Sequence, residues 1–460
     1  MNGGGHPVAS LRPVFLWLAL LGLGHALGEG NGALAGWARW GLTAALLFSF
    51  VAFLGPWGPS HVPFFPTVHR AAALLGLTGV FAFNLAHLPG VYVQATLADW
   101  RTFQAVMGLA YVASLVWVLH PGKWDVPLGG MILSAFLLSG LWVIAHSPSP
   151  HIDVFYFQQE AVNALLAGQN PYAIRFRDIY SPADSARFYG EGLSVDGVLQ
   201  FGFPYPPASL LLALPGKVFA NDVRYGQWVA LALAAVLLFR CRPASLWARA
   251  AAVFCLFSPR GLFVLEQSWT EPFLLYALSH TVYLAQKRSR WTWVPLGLLL
   301  GLKQYMVLFV PLLWLLGPAF LPRQQLFRAL SLAAASLMPF FLWGPRDFLH
   351  SVVMLHLQQP YRAESLGYLS WLSALGLGGL QAWTGFLLAI AVMSIALFRR
   401  ARGPETFALS LAVASMVFFA FNKQAFANYY SFVLGALCVA LSTGNDATEG
   451  GMSTCQGRGS

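Results

Sequence analysis

Apolar runs recur along this 460-residue chain, separated by short polar breaks. They fall near 13–28, 37–54, 71–90, 103–119 and 127–147. A second series falls near 225–240, 247–258, 272–286, 291–303, 305–318, 329–344, 381–398, 405–421 and 428–443. A hydrocarbon core takes about 20 residues of helix to cross, and several runs approach that length. With no water inside the bilayer, each backbone amide must pair within its own segment, so such runs are helices. The period-two alternation of a β-barrel is absent. The pattern predicts an all-α, polytopic transmembrane bundle of about 13–14 membrane helices. The runs on either side of Lys303 are short for full crossings and point to a broken or re-entrant pair. The piece 206–220 reads either as a span or as an element lying at the interface, and the parity of the crossings favours the interface.

One break is unlike the others. Residues 148–205 are polar and hold six (Asp153, Glu160, Asp178, Asp184, Glu191 and Asp196) of the chain's 17 carboxylates. Asp153 follows directly on the fifth run. Residues 157–166 are amphipathic before Gly168-Gln169-Asn170-Pro171-Tyr172 stops the helix. That describes a helix lying on the membrane rather than through it. The expected organisation is a set of N-terminal membrane helices (1–147), a large extracytoplasmic loop with interfacial helices (148–207) and a second membrane module (208–443). A polar, Gly-rich tail (444–460) has the composition of disorder.

Composition narrows the class. With 57% hydrophobic and 10% charged residues and a mean hydropathy of +0.62, a soluble domain is excluded, because its surface could not be solvated. The net charge of +10 does not point to nucleic acid here, because the cations sit in short breaks between membrane runs. Those breaks carry Arg240, Arg242 and Arg249, then Lys287-Arg288-Ser289-Arg290, then Arg323 and Arg328, then Arg399-Arg400-Ala401-Arg402. Basic residues collect on the cytoplasmic side. The breaks at 148–205, 258–271, 345–366 and 422–430 are then expected on the outer face of the cytoplasmic membrane. The four cysteines (Cys241, Cys255, Cys438 and Cys455) are scattered and fit neither a disulfide framework nor a metal site. No P-loop, zinc spacing or dinucleotide fingerprint is present. Neither a cofactor nor a metal is expected.

Candidate chemistry gathers on that outer face. Asp153, held at the interface by Val154-Phe155-Tyr156-Phe157, is partly desolvated, which tunes a carboxylate for proton abstraction. The plainer alternative is an acid that marks a helix end. Lys303 interrupts an apolar run, and charge in a bilayer is expensive enough to mark a site, unless its stem simply snorkels to water. Arg260, Arg362 and Lys423 join it as cations able to hold a phosphate. Tyr205, in Tyr205-Pro206-Pro207, sets a ring at headgroup level. Glu266, Gln267, Gln304, His356, Asn428 and Tyr429 are candidate substrate contacts. One shared cavity with cations for a phosphate and a carboxylate for a hydroxyl suits sugar transfer from a polyprenyl phosphate.

Several stretches, taken in order, carry a resemblance. They are Asp153…Leu165-Leu166-Ala167-Gly168-Gln169-Asn170-Pro171-Tyr172, then Tyr205-Pro206-Pro207-Ala208-Ser209-Leu210-Leu211, then Asp222-Val223-Arg224. Leu265-Glu266-Gln267, Gly301-Leu302-Lys303-Gln304 and Asn422-Lys423-Gln424…Asn428-Tyr429-Tyr430 follow. Over 148–440 the chain resembles the GT-C superfamily of integral-membrane glycosyltransferases, and most of all the mannosyltransferase-like proteins of glycosyltransferase family 87. The resemblance implies Asp153 as catalytic base and a polyprenyl-phosphate-linked donor. It also implies inverting transfer of a hexose such as mannose to a lipid or glycan acceptor. Two departures stand out. Five apolar runs precede the large loop where family members generally have one, and Val154 stands where many GT-C enzymes carry a second acid. Three other readings stay open. One is a transporter or flippase of lipid-linked sugars. Another is a polysaccharide polymerase or ligase, which Arg346, His350, His356 and Arg362 of the late loop suit. The third is a glycolipid-binding scaffold without catalysis.

Overall fold

The computed structural model describes residues 10–55, 65–378, 380–381, 383–399 and 401–444. From residue 445 the tail, with Cys455, lies outside the described residues. Five helices lead, Arg12–Gly30, Ala38–Leu54, Phe65–Ala86, Leu97–Leu119 and Asp125–His146. Four of them, and Arg323–Trp343 later, are long and apolar enough to cross a membrane alone. The fourth starts at a capping box, in which Thr96 Oγ1 accepts from Asp99 N at 3.2 Å and Asp99 Oδ2 accepts from Thr96 N at 3.0 Å. Two donors left over at the helix start are thereby satisfied. The architecture is all-α and polytopic, as the hydropathy pattern requires.

Shorter apolar helices fill the middle. Leu246–Phe257, Pro404–Ala420 and Ala427–Thr443 are buried on nearly every side. A helix that is apolar all round belongs in the interior, and protein neighbours rather than lipid then satisfy its ends.

Charge sorts the two ends of the bundle. At one end Arg12 Nη1 meets Glu405 Oε1 at 2.6 Å. There Arg249 also grips both oxygens of Asp125 at 2.7 and 2.6 Å, and Arg399 Nη1 donates to Phe53 O at 2.7 Å. Gly403 N donates to Leu315 O at 2.8 Å, and Gln325 Nε2 to Ser289 O at 3.2 Å. The basic breaks therefore share one end. At the other end Leu34 N donates to Glu364 O at 2.8 Å, and Gly202 N to Ser351 Oγ at 2.9 Å. The first interhelical turn lies directly on the start of the last helix. Gly32 (φ +84°) makes this possible, since a Cβ there would sit 2.1 Å from Ala427 N and only glycine takes that conformation freely.

Two irregular elements shape the site. Pro207–Ala220 meets Arg224–Cys241 at 113°, so it does not continue into the following span. Trp293–Leu302 stops at Lys303, whose extended backbone (φ −145°, ψ 142°) leads into a 3-10 helix of 13 residues, Gln304–Leu316. Both limbs have their far ends among the basic breaks, and Lys303 stands at the apex between them. The 3-10 rise of about 2.0 Å per residue carries the second limb over about 26 Å. The loop after the fifth helix folds into Asp153–Leu166, Pro182–Tyr189 and a two-stranded antiparallel hairpin, Ser194–Val195 with Val198–Leu199. Asp196 and Gly197 turn the hairpin with φ of 50° and 74°, the left-handed pair that an Asp-Gly turn supplies.

Candidate functional site

Asp153 is the first residue of its helix, where the positive end of the helix dipole favours a carboxylate. Its Oδ2 accepts from Tyr189 Oη at 2.8 Å and its Oδ1 from Val154 N at 2.8 Å. Its own amide donates to Tyr180 Oη at 3.1 Å. The side chain is partly buried. Burial pushes its pKa above the ordinary aspartate value, while the Tyr189 hydroxyl, the Val154 amide and the nearby Arg362 guanidinium pull the other way. Aromatic rings wall the acid in, with Phe157 4.5 Å from Phe176 and Tyr189 5.3 Å from Phe201 between centroids.

A buried amide cluster anchors this helix from behind. Gln227 Nε2 donates to Gln158 Oε1 at 3.1 Å and to Ser268 O at 2.9 Å, and Gln158 Nε2 also donates to Ser268 O. Arg224 closes the helix start by stacking over Phe155 at 4.8 Å and donating to Ser147 O at 2.8 Å. These bonds fix the start of the helix, so the carboxylate has little freedom to swing.

Tyr205 borders a cavity of about 630 Å³ whose lining mixes polar and apolar side chains. Lys303, Gln304, His356, Asn422, Lys423 and Gln424 line it together with Val307, Leu308, Trp383, Phe386 and Phe418. Lys303 Nζ lies 4.1 Å from the centre of the Tyr205 ring and 3.1 Å from Glu271 Oε1. Among the described residues Lys423 Nζ donates only to main-chain carbonyls, Leu357 O at 3.1 Å and Gln359 O at 2.5 Å. Gln304 Nε2 donates to Pro204 O at 2.8 Å and Val352 O at 3.0 Å. Tyr429 lines the wall and its neighbour Asn428 is buried. The Tyr205 ring thus joins the cavity to the ion pair, and the charges of Asp153 and Glu271 both act on its hydroxyl.

Not every candidate converges there. Arg362 stacks over Phe188 at 4.3 Å and binds Glu364 Oε1 at 2.7 and 2.6 Å; it faces Asp153 from outside the cavity. The single polar cavity expected from the sequence divides at Arg260, Glu266 and Gln267. Arg260 Nη1 donates to Leu88 O at 3.2 Å, and its guanidinium lies over Phe83 at 5.4 Å. Glu266 accepts from Val91 N at 2.8 Å, Tyr92 N at 2.9 Å and Gln267 Nε2 at 2.9 Å. A carboxylate so occupied serves the loop between the third and fourth helices. That loop in turn reaches the acid's flank, through Tyr92 Oη donating to His151 O at 2.7 Å. This gives the N-terminal helices a bracing role that their sequence does not announce. The late-loop histidines are similarly engaged, His350 Nε2 lying 3.2 Å from Gln200 O and His356 Nε2 2.9 Å from Pro204 O.

The sequence pattern puts Glu271 and Tyr305 in outer-face clusters without a role of their own, and it does not single out Tyr180 or Tyr189. Glu271 carried a legible signal, an acid opening an apolar helix, whereas the tyrosines carried none. Tyr189 has a testable consequence. Its hydroxyl stabilises the Asp153 carboxylate, so Tyr189→Phe raises the Asp153 pKa further. The midpoint of the Asp153 carboxyl titration, followed by its infrared signal in wild type and variant, should therefore move to higher pH. An unmoved midpoint would show that this hydroxyl does not govern the acid.

Comparison with protein-family models and with curated proteins gives no match. Among solved structures, that of ArnT from Cupriavidus metallidurans bound to undecaprenyl phosphate is similar to this chain, with a TM-score of 0.44 and 14% identity over 70% of the chain. The chain spans 60% of the length of that structure.

Proposed function

We propose that this protein is a membrane glycosyltransferase that takes its sugar from a polyprenyl-phosphate-linked donor. The observation that carries this reading is a cavity with two lysines and an apolar wall, bordered by Tyr205, on whose hydroxyl the charge of the tyrosine-clamped acid acts. Lys303 and Lys423 offer charge for a phosphate, and Val307, Trp383 and Phe386, exposed at the surface of the bundle, offer an apolar wall for the first isoprene units. A soluble sugar nucleotide would have no use for that wall.

In the proposed step an acceptor hydroxyl oxygen attacks the anomeric carbon and forms the new glycosidic bond. The bond from that carbon to the phosphate oxygen breaks, and polyprenyl phosphate leaves with the electron pair. The hydroxyl proton passes to Asp153. Lys303 and Lys423 stabilise the charge gathering on the leaving phosphate. Attack from the face opposite the phosphate inverts the anomeric centre. Tyr205, Gln304, His356, Asn428 and Tyr429 line or border the space left for donor and acceptor. We place the reaction on the extracytoplasmic side of the cytoplasmic membrane, because four basic breaks gather at the opposite end of the bundle. The family resemblance makes a hexose, with mannose first, the sugar to try.

The test is to incubate purified full-length protein with radiolabelled polyprenyl-phosphate mannose, glucose and galactose together with membrane lipid extract. The expected result is consumption of one donor and appearance of label in a lipid or glycan product. Passage of the donor across vesicles without transfer would replace this reading by a flippase. Tight donor binding with no turnover would replace it by a scaffold.

A further inference from the structure

The cavity holds two lysines, yet one of them is already answered by a carboxylate. Lys303 is 5% exposed and Glu271 is fully buried, with their charged atoms 3.1 Å apart. Among the described residues no hydroxyl or amide donates to either Glu271 oxygen, and the contact with Lys303 is an ion pair rather than an aligned hydrogen bond. Tyr305 lines the same cavity with a buried hydroxyl that also lacks a partner among the described residues. Buried polar atoms left in this way are costly unless a ligand completes them.

Charge can then be counted around the cavity. Lys303 and Lys423 contribute two positive charges and Glu271 one negative. Burial and the neighbouring lysines lower the pKa of His356 and keep its imidazole neutral. The Arg362 guanidinium is spent on Glu364 at 2.6 Å. Among the groups that line the cavity or pair with its lysines, one net positive charge remains; Asp153 does not line it. Without Glu271 there would be two.

We propose that Glu271 sets the cavity to accept a singly charged phosphodiester headgroup and to disfavour a doubly charged phosphate monoester. This rests on the transferase reading above and deepens it. A sugar-bearing polyprenyl phosphate is a phosphodiester with one negative charge. The polyprenyl phosphate left after transfer is a monoester carrying close to two at neutral pH, its second proton leaving near pH 6. The charge count matches the donor and not the product, so Glu271 favours release of the spent carrier. The same count disfavours diphosphate-linked sugars.

The experiment compares two short probes on the purified full-length protein in nanodiscs at pH 8, farnesyl phosphate and its methyl phosphodiester. Calorimetry or competition gives the ratio of their dissociation constants. The wild type should bind the diester more tightly. Glu271→Gln, close in shape but uncharged, should shift the ratio toward the monoester by about tenfold or more, the size expected for one partly buried charge. Lys423→Met removes a cation bonded only to carbonyls, and it should shift the ratio the opposite way even if the first variant folds poorly. Two bound probes whose ratio stays fixed in these variants overturn the charge-matching role and leave the transferase reading standing. Failure of the wild type to bind either probe overturns both.

Discussion

Asp153→Asn should reduce sugar transfer by about 10²–10⁴-fold, the range that a positioned general base contributes. Asparagine keeps the shape of the side chain. Its carbonyl oxygen can still accept from Val154 N, and the Tyr189 hydroxyl can rotate to accept from the new amide. The helix from Asp153 to Leu166 is held by Gln158, Gln227 and Ser268 whatever residue 153 is, so the variant should fold and insert. What it lacks is a site for the acceptor's proton. Transfer of label from the donor is the activity readout, and binding of the donor in the same preparation is the control. Retained binding with lost transfer isolates chemistry from recognition; full transfer would falsify the base assignment.

The second large effect falls on Lys303→Met, and it has two separable parts. Removing the ammonium leaves Glu271 buried and uncompensated, which costs about 3–5 kcal/mol of stability when one member of a buried pair is lost. It also removes the cation nearest the Tyr205 ring, and prenyl phosphate binding should be lost. Adding Glu271→Gln to Lys303→Met removes the stranded charge, so the double variant should regain much of its thermal stability. Phosphate binding should stay well below wild type, because Lys423 is then left without Lys303 to meet the ligand. Thermal unfolding and prenyl phosphate binding, measured on both variants, separate the two parts. Recovery of binding along with stability would make Lys303 a structural residue only.

Much of the architecture was legible because each membrane segment answers to its own solvent. Apolar length alone predicted the leading helices, and clustered basic residues predicted that 240–249, 287–290, 323–328 and 399–402 share an end. The short limbs around Lys303 predicted its broken pair. Asp153 was legible as an acid placed directly after a span and inside the largest polar break. The hairpin at Ser194–Leu199 had a local signature too, Asp196-Gly197 between Ser-Val and Val-Leu, which an all-helical reading passes over.

The partners of those residues were another matter. Tyr189 is 36 positions from Asp153, and Glu271 is 32 from Lys303; no periodicity links such pairs. Arg260 and Glu266 looked equal to Lys303 and Lys423 in charge and in expected face, yet packing sends them to the 87–96 loop. The physical reason is that lipid dictates where a segment turns helical and which of its ends carries charge, one segment at a time. Which helix faces which depends on close packing and on hydrogen bonds between segments. Those contacts exist only once the bundle has assembled, and they alone decide which cations line the cavity.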